Sequence, residues 1–151
     1  MSIALTLHVL SFTIWVGGMF FAYVALRPAA ASALDPPHRL PLWAATFARF
    51  FPWVWTAVIV LPVTGYWMIF RMGGFASVAP YVHIMQLVGI AMIAIFLHIY
   101  FAPYRRLRRA VAAADWPAGG KALATIRRLV AVNLVLGLVL IALVALAQSR
   151  V

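Results

Sequence analysis

Four histidines are the side chains in this sequence whose type and placement speak most directly of ligand chemistry, and three of them stand in apolar runs. His8 lies in "LTLHVLSFTIWVGG", and "HIMQLVGIAMIAIFLH" opens on His83 and closes on His98. His38 sits in the polar, proline-rich "ALDPPHRLPLW", where a solvent-exposed ring is expected. A neutral imidazole offers one nitrogen lone pair, which suits haem iron or copper. The rest of the chemical inventory is short. There is no cysteine, which excludes disulfides, thiolate metal sites, covalent c-type haem attachment and a cysteine nucleophile. Asp35 and Asp115 are the only acids, and neither lies in an apolar run. Without a carboxylate pair, hydrolase chemistry, carboxylate proton pumping and hard-cation binding fall away.

The elements that must position these rings are membrane helices. Of 151 residues 67% are hydrophobic and only 9% are charged, against roughly 25% charged in an ordinary soluble domain. A hydrocarbon core of about 30 Å needs about 20 apolar residues per helix, and four windows qualify, at about 3–26, 47–70, 80–101 and 127–147. The expected fold is an all-α integral membrane four-helix bundle forming one domain over residues 1–151. Arg27 and Pro28 are expected to stop the first helix, with "ALDPPHRLPLW" as a loop carrying a short interfacial segment. Pro52 and Pro62 are expected to bend the second helix, whose "FPWVW" and "GYWMIF" ends read as aromatic belts. The first window reads as a mature helix rather than a cleaved leader, since no basic residue precedes it and no small-x-small cleavage site follows. No strong internal repeat is evident.

Charge sets the orientation. Twelve Lys and Arg against two acids give a formal +10. Ten of the twelve flank the first and third loops: Arg27, Arg39 and Arg49, then Arg105, Arg106, Arg108, Arg109, Lys121, Arg127 and Arg128. Arg71 and Arg150 alone lie toward the other side. The positive-inside rule puts the basic loops in the cytoplasm and both termini on the periplasmic or outer side. The cations read as lipid-facing rather than as a nucleic-acid footprint, because no soluble face remains to track a phosphate backbone. The run "YRRLRRAVAAADWPAGGKALATIRR" is expected to form a short amphipathic helix, a turn at Pro117 to Gly120 and the approach to the fourth helix, with docking of haem propionates or an acidic partner as the sharper reading.

Depth then pairs the histidines. The first and third helices run in the same direction, so His8 and His83 lie at similar depth near the outer face and can face each other as metal ligands. Hydrogen bonding to backbone carbonyls is the plainer role for each ring. Gly17, Gly18 and Trp15 follow His8 within about two and a half turns, so Trp15 and Gly18 are candidate cofactor contacts, with close helix packing as the alternative for the glycines. Gln86 stands one turn after His83 as a candidate to hydrogen-bond a ligand. His98 lies about 22 Å along the helix from His83 and cannot share its ligand. A hydrogen bond to Asn133 is expected for it, or else a second cofactor site touching a propionate or quinone headgroup. Met68, Met72 and Met85 cluster toward the outer face beside His8 and His83, a thioether and imidazole set suited to Cu(I), although methionine also fills core gaps.

The stretches "LHVLSFTIWVGGMFFAYVALRPA", "FPWVWTAVIVLPVTGYWMIF" and "LHIYFAPYRRLRRA" together resemble the CopD-type membrane family, named for copper resistance. A first-helix His followed by Trp and Gly, with a third helix ending in His-x-Tyr before a basic loop, is also similar to the HemJ-type protoporphyrinogen oxidases. That resemblance implies an oxidoreductase binding haem b through His8 and an early third-helix lysine. No lysine lies in the third span here, and Gln86 or His83 stands near its place. These resemblances imply a multi-pass protein of the bacterial inner membrane. Three expectations follow. The first is haem b held by His8 and His83, in electron transfer or membrane-linked oxidation with a quinone or other redox partner. The second is a copper-binding or copper-transporting module, and the third a ligand-free packing subunit. A homo-oligomer is compatible with each.

Overall fold

The computed structural model describes residues 1–149, so Arg150 lies outside the described residues. Among them the chain is 91% helix and contains no strand. Helix α1 (Ser2–Phe20) continues through a π-helical segment, Phe21–Leu26, into α2 (Arg27–Ala33). Helix α3 spans Pro36–Arg71, a 3-10 turn covers Phe75–Ser77, and α4 (Pro80–Phe101), α5 (Pro103–Ala112) and α6 (Trp116–Gln148) complete the chain. Four continuous helical stretches, Ser2–Ala33, Pro36–Arg71, Pro80–Ala112 and Trp116–Gln148, are long and apolar enough to cross a membrane.

Each stretch outlasts the bilayer. At about 1.5 Å per residue, a helix of 36 residues is about 54 Å long, against a hydrocarbon core of about 30 Å. The surplus turns lie at the basic end, where Leu40, Trp43, Tyr104, Leu107, Ala122 and Ile126 carry the core onward as a helical collar. Apolar residues on the opposite faces, such as Ile3, Leu87, Val63 and Leu146, stay exposed because lipid is their solvent.

Three sequence expectations are corrected at the prolines. Pro28 does not stop the first helix, because the preceding segment widens to a π-helix. In i to i−5 pairing the donor for the Tyr23 carbonyl would be the nitrogen of Pro28, which has no hydrogen. Arg27 Nε takes that place at 3.4 Å, with its guanidinium 4.6 Å from the Tyr23 ring centre. The segment "ALDPPHRLPLW" is not a loop beyond Asp35, since Pro36 and Pro37 occupy the first turn of α3, where a missing N–H costs nothing. Helix α3 then continues through Pro41, Pro52 and Pro62. The turn in the basic run falls at Ala113–Asp115 and not at Pro117–Gly120. Ala114 adopts φ +52°, and Asp115 caps α6 by accepting the Ala118 N–H at 3.1 Å, which places Pro117 in the first helical turn.

Packing is aromatic on one side and small-residue on the other. Between α3 and α4–α5 runs a column in which Phe51 meets Phe47 at 5.0 Å, Tyr104 at 4.8 Å and Phe96 at 5.4 Å, with Trp55 also against Phe96. Phe51 and Trp55 therefore turn inward from the expected belt, whereas Trp53 and Trp67 remain exposed as belt residues. Where α1 meets α6, Gly137 admits Val16: a Cβ there would stand 2.7 Å from Val16 Cγ2 and 3.4 Å from Met92 Cε. Gly137→Ala should therefore destabilise the bundle by about 1–3 kcal/mol. Gly17→Ala, with open space around it, should be neutral or stabilise by up to about 1 kcal/mol. Unfolding of both variants in mixed micelles checks the contrast, and equal effects would refute this account of the contact.

Candidate metal centre

Pro62, inside α3, has no N–H and leaves the Val58 carbonyl, one turn earlier, without its amide donor. Two residues on, Thr64 turns its hydroxyl back into the helix, 2.7 Å from the Val60 carbonyl and 3.3 Å from that of Leu61. That hydroxyl has a single hydrogen, and the shorter bond uses it. Its oxygen lies 2.8 Å from Nδ1 of His8, which reaches across from α1. Thr64 Oγ1 must therefore accept, and we assign the proton of His8 to Nδ1. The lone pair of the neutral ring is then on Nε2, the arrangement in which a histidine ligates a metal through one nitrogen while the other is tied down.

Gly65 makes room for the ring, since a Cβ there would stand 3.3 Å from His8 Cε1. Tyr66, the next residue, accepts a hydrogen bond from Gln86 Nε2 at 2.7 Å. The turn Thr64–Gly65–Tyr66 thus joins α1 to α4. His83, one turn before Gln86, is exposed, with its ring centre 6.3 Å from that of Phe75, which also neighbours Tyr66. His8 and His83 therefore take different partners, and no bis-histidine site is shown. Among the described residues no three His, Cys, Asp or Glu side chains converge as a metal site. Any metal bound here must draw on other donors, and the thioethers of Met68, Met72 and Met85 lie toward the same end, Met72 exposed and the other two half-buried.

The remaining candidates have packing partners. Trp15 is 2% exposed and meets Phe96 edge-on at 6.3 Å. The space beside Gly18 is filled by the Phe50 ring. His98 is exposed, and the expected bond to Asn133 is not formed. Asn133 instead donates from Nδ2 to the Met92 carbonyl at 3.1 Å, leaving its buried Oδ1 without a partner. The reason is rotational: Met92, Phe96 and Ile99 form the buried face of α4, and His98 falls on the opposite one. His38 is exposed as expected, donating from Nδ1 to Asp35 Oδ1 at 2.9 Å, and this bond holds the Asp35 carboxyl below the usual carboxylate range.

Thr64, Gly65, Tyr66 and Phe75 are not ionisable at neutral pH and do not stand out in the sequence, although a Thr-Gly pair in an apolar run is a readable sign of a hydroxyl beside open space. Together the helices and this turn define a multi-pass membrane protein with an imidazole held at one end of its bundle. The family model for CopD, copper resistance protein D, matches residues 44–147, more than half of the chain, and the protein belongs to that family. No curated protein and no solved structure matches it. The family match covers α3's membrane portion through α6 and leaves His8 outside it, and no match carries the HemJ-type resemblance.

Because His98 makes no side-chain bond and Asn133 only one, His98→Ala should leave the unfolding midpoint unchanged. Asn133→Leu should shift stability by no more than about 1 kcal/mol, the usual scale of a hydrogen bond between membrane helices. Thermal unfolding in detergent reads both, and a loss of several kcal/mol in His98→Ala would contradict this placement.

Proposed function

We propose that the protein binds copper in the membrane, as cargo or stored ion, through the Nε2 nitrogen of His8 together with thioethers at the same end of the bundle. The observation that carries this reading is the 2.8 Å contact of His8 Nδ1 with Thr64 Oγ1, which on the tautomer assigned above leaves Nε2 as the ligating nitrogen. Cu(I) is the form that imidazole and thioether donors accept with low coordination number, and a cysteine-free chain offers it no thiolate alternative. Membership of a family named for copper resistance supports the same metal. The positive-inside rule would put this end on the periplasmic side of a bacterial inner membrane, with the four spans acting as one unit.

Haem b is the second reading, since a lone-pair nitrogen also suits iron. Its two expected ligands take separate partners, so copper takes precedence. A Cu(I) competition titration of the purified chain separates them. The expected result is copper near one equivalent per chain without a Soret band. His8→Ala should lose at least about tenfold in affinity and Thr64→Val about 10- to 100-fold, while Thr64→Ser should retain binding. Affinity should fall on acidification, because a proton competes for Nε2. A Soret band without copper would move the assignment to haem, and unchanged copper binding in His8→Ala would sink both readings.

A further inference from the structure

The basic end of the bundle has a charge imbalance that its own side chains do not resolve. Ten cations flank the first and third loops, Asp35 is engaged by His38, and Asp115 is engaged as the cap of α6. Several arginines there have partners. Arg27 and Arg108 lie over the rings of Tyr23 and Tyr104 and Arg105 over Phe101, while Arg39 and Arg49 donate to backbone carbonyls. Arg106, Arg109, Lys121, Arg127 and Arg128 have no ion pair, side-chain hydrogen bond or ring contact among the described residues. The first three line one groove of about 490 Å³ between α5 and the first turns of α6, together with Thr125 and with Asp115, whose carboxylate caps α6.

From this groove an apolar track runs toward the membrane centre. Thr125 is followed at seven-residue intervals by Val132, Val139 and Leu146, and a seven-residue step returns to nearly the same face of a helix. All three are exposed, at 49%, 57% and 63%. A cationic groove at headgroup depth continuous with an exposed aliphatic stripe matches an amphiphile whose charged end is a phosphate. A soluble anion would use the groove and leave the stripe unused.

We propose that the α5–α6 groove seats the headgroup of an anionic phospholipid, its phosphate held by Arg106, Arg109 and Lys121 and its acyl chains laid along the near part of the stripe, past Val132 toward Val139. Guanidinium groups supply the forked donors that phosphate oxygens match, and the ammonium of Lys121 adds a third charge from the facing helix. The lipid thereby clamps α5 to α6 and supplies the counter-charge that the chain lacks. This site is independent of the copper reading, since its residues lie at the opposite end of the bundle from His8.

Native mass spectrometry of the full chain in neutral detergent, titrated with phosphatidylglycerol or phosphatidylcholine, tests the proposal. Phosphatidylglycerol should bind about tenfold or more tightly than phosphatidylcholine. The triple variant Arg106→Gln, Arg109→Gln, Lys121→Gln should remove that preference. Arg105→Gln, Arg127→Gln, Arg128→Gln, which removes equal charge outside the groove, should keep most of it. Equal losses in the two triples would overturn the site in favour of diffuse attraction. Displacement of the lipid by millimolar glycerophosphoglycerol, which has the headgroup without acyl chains, would overturn it in favour of a soluble anion. A reporter that leaves the cations intact guards against misfolding: Thr125→Cys, unique in this cysteine-free chain, should be shielded from maleimide by phosphatidylglycerol and not by phosphatidylcholine. Equal labelling with both lipids would also overturn the proposal.

Discussion

In hydrocarbon a backbone polar group without an internal partner has no water to turn to, and each such group costs several kcal/mol. That constraint governs this chain because its helices are rich in proline. Pro28, Pro41, Pro52 and Pro62 each remove a donor from a helical ladder. At Pro28 a π-helical widening and the Arg27 side chain answer the loss, and close to Pro52 and Pro62 threonine hydroxyls add bonds to carbonyls that keep their own amide donors, Thr56 to Pro52 and Thr64 to Val60.

The candidate centre grows out of the Thr64 hydroxyl. A threonine that donates its hydrogen backward must accept on its outward lone pairs, and His8 is the donor that reaches it. The glycine that follows leaves space for the imidazole, and the tyrosine after that carries the link on to α4. One short stretch of α3 thus holds a ring of a neighbouring helix without any charged partner, which suits a low-dielectric site where a carboxylate would be costly.

The two ends of the bundle solve different problems. At the weakly charged end the polar pairs are few and uncharged in their partners, His8 with Thr64 and Gln86 with Tyr66. At the basic end the helices run past the membrane into a collar whose cations outnumber the acids five to one, and cation–ring contacts and carbonyl contacts absorb part of that charge. Of the remainder, Arg106, Arg109 and Lys121 line one groove between α5 and α6. Structural asymmetry therefore follows the charge asymmetry already present in the chain.

Much of this was legible residue by residue. Hydropathy and length determined four spans, because a bilayer demands about 20 apolar residues wherever they occur, and the distribution of Lys and Arg distinguished the two ends. The absence of cysteine and of acids within the spans limited the ligands to imidazole and thioether. The sequence also marked His8 and His83 as candidates at one depth. Tertiary structure alone decided rotation and partnership. It turned His98 away from Asn133, gave His8 to Thr64 instead of His83, and filled the space at Gly18 with Phe50. Depth along a helix follows from counting residues, but the facing partner depends on how helices rotate and pack. In this bundle the aromatic column between α3 and α4–α5 and the small-residue contact at Gly137 accompany that rotation, and both depend on side-chain shape from distant parts of the chain.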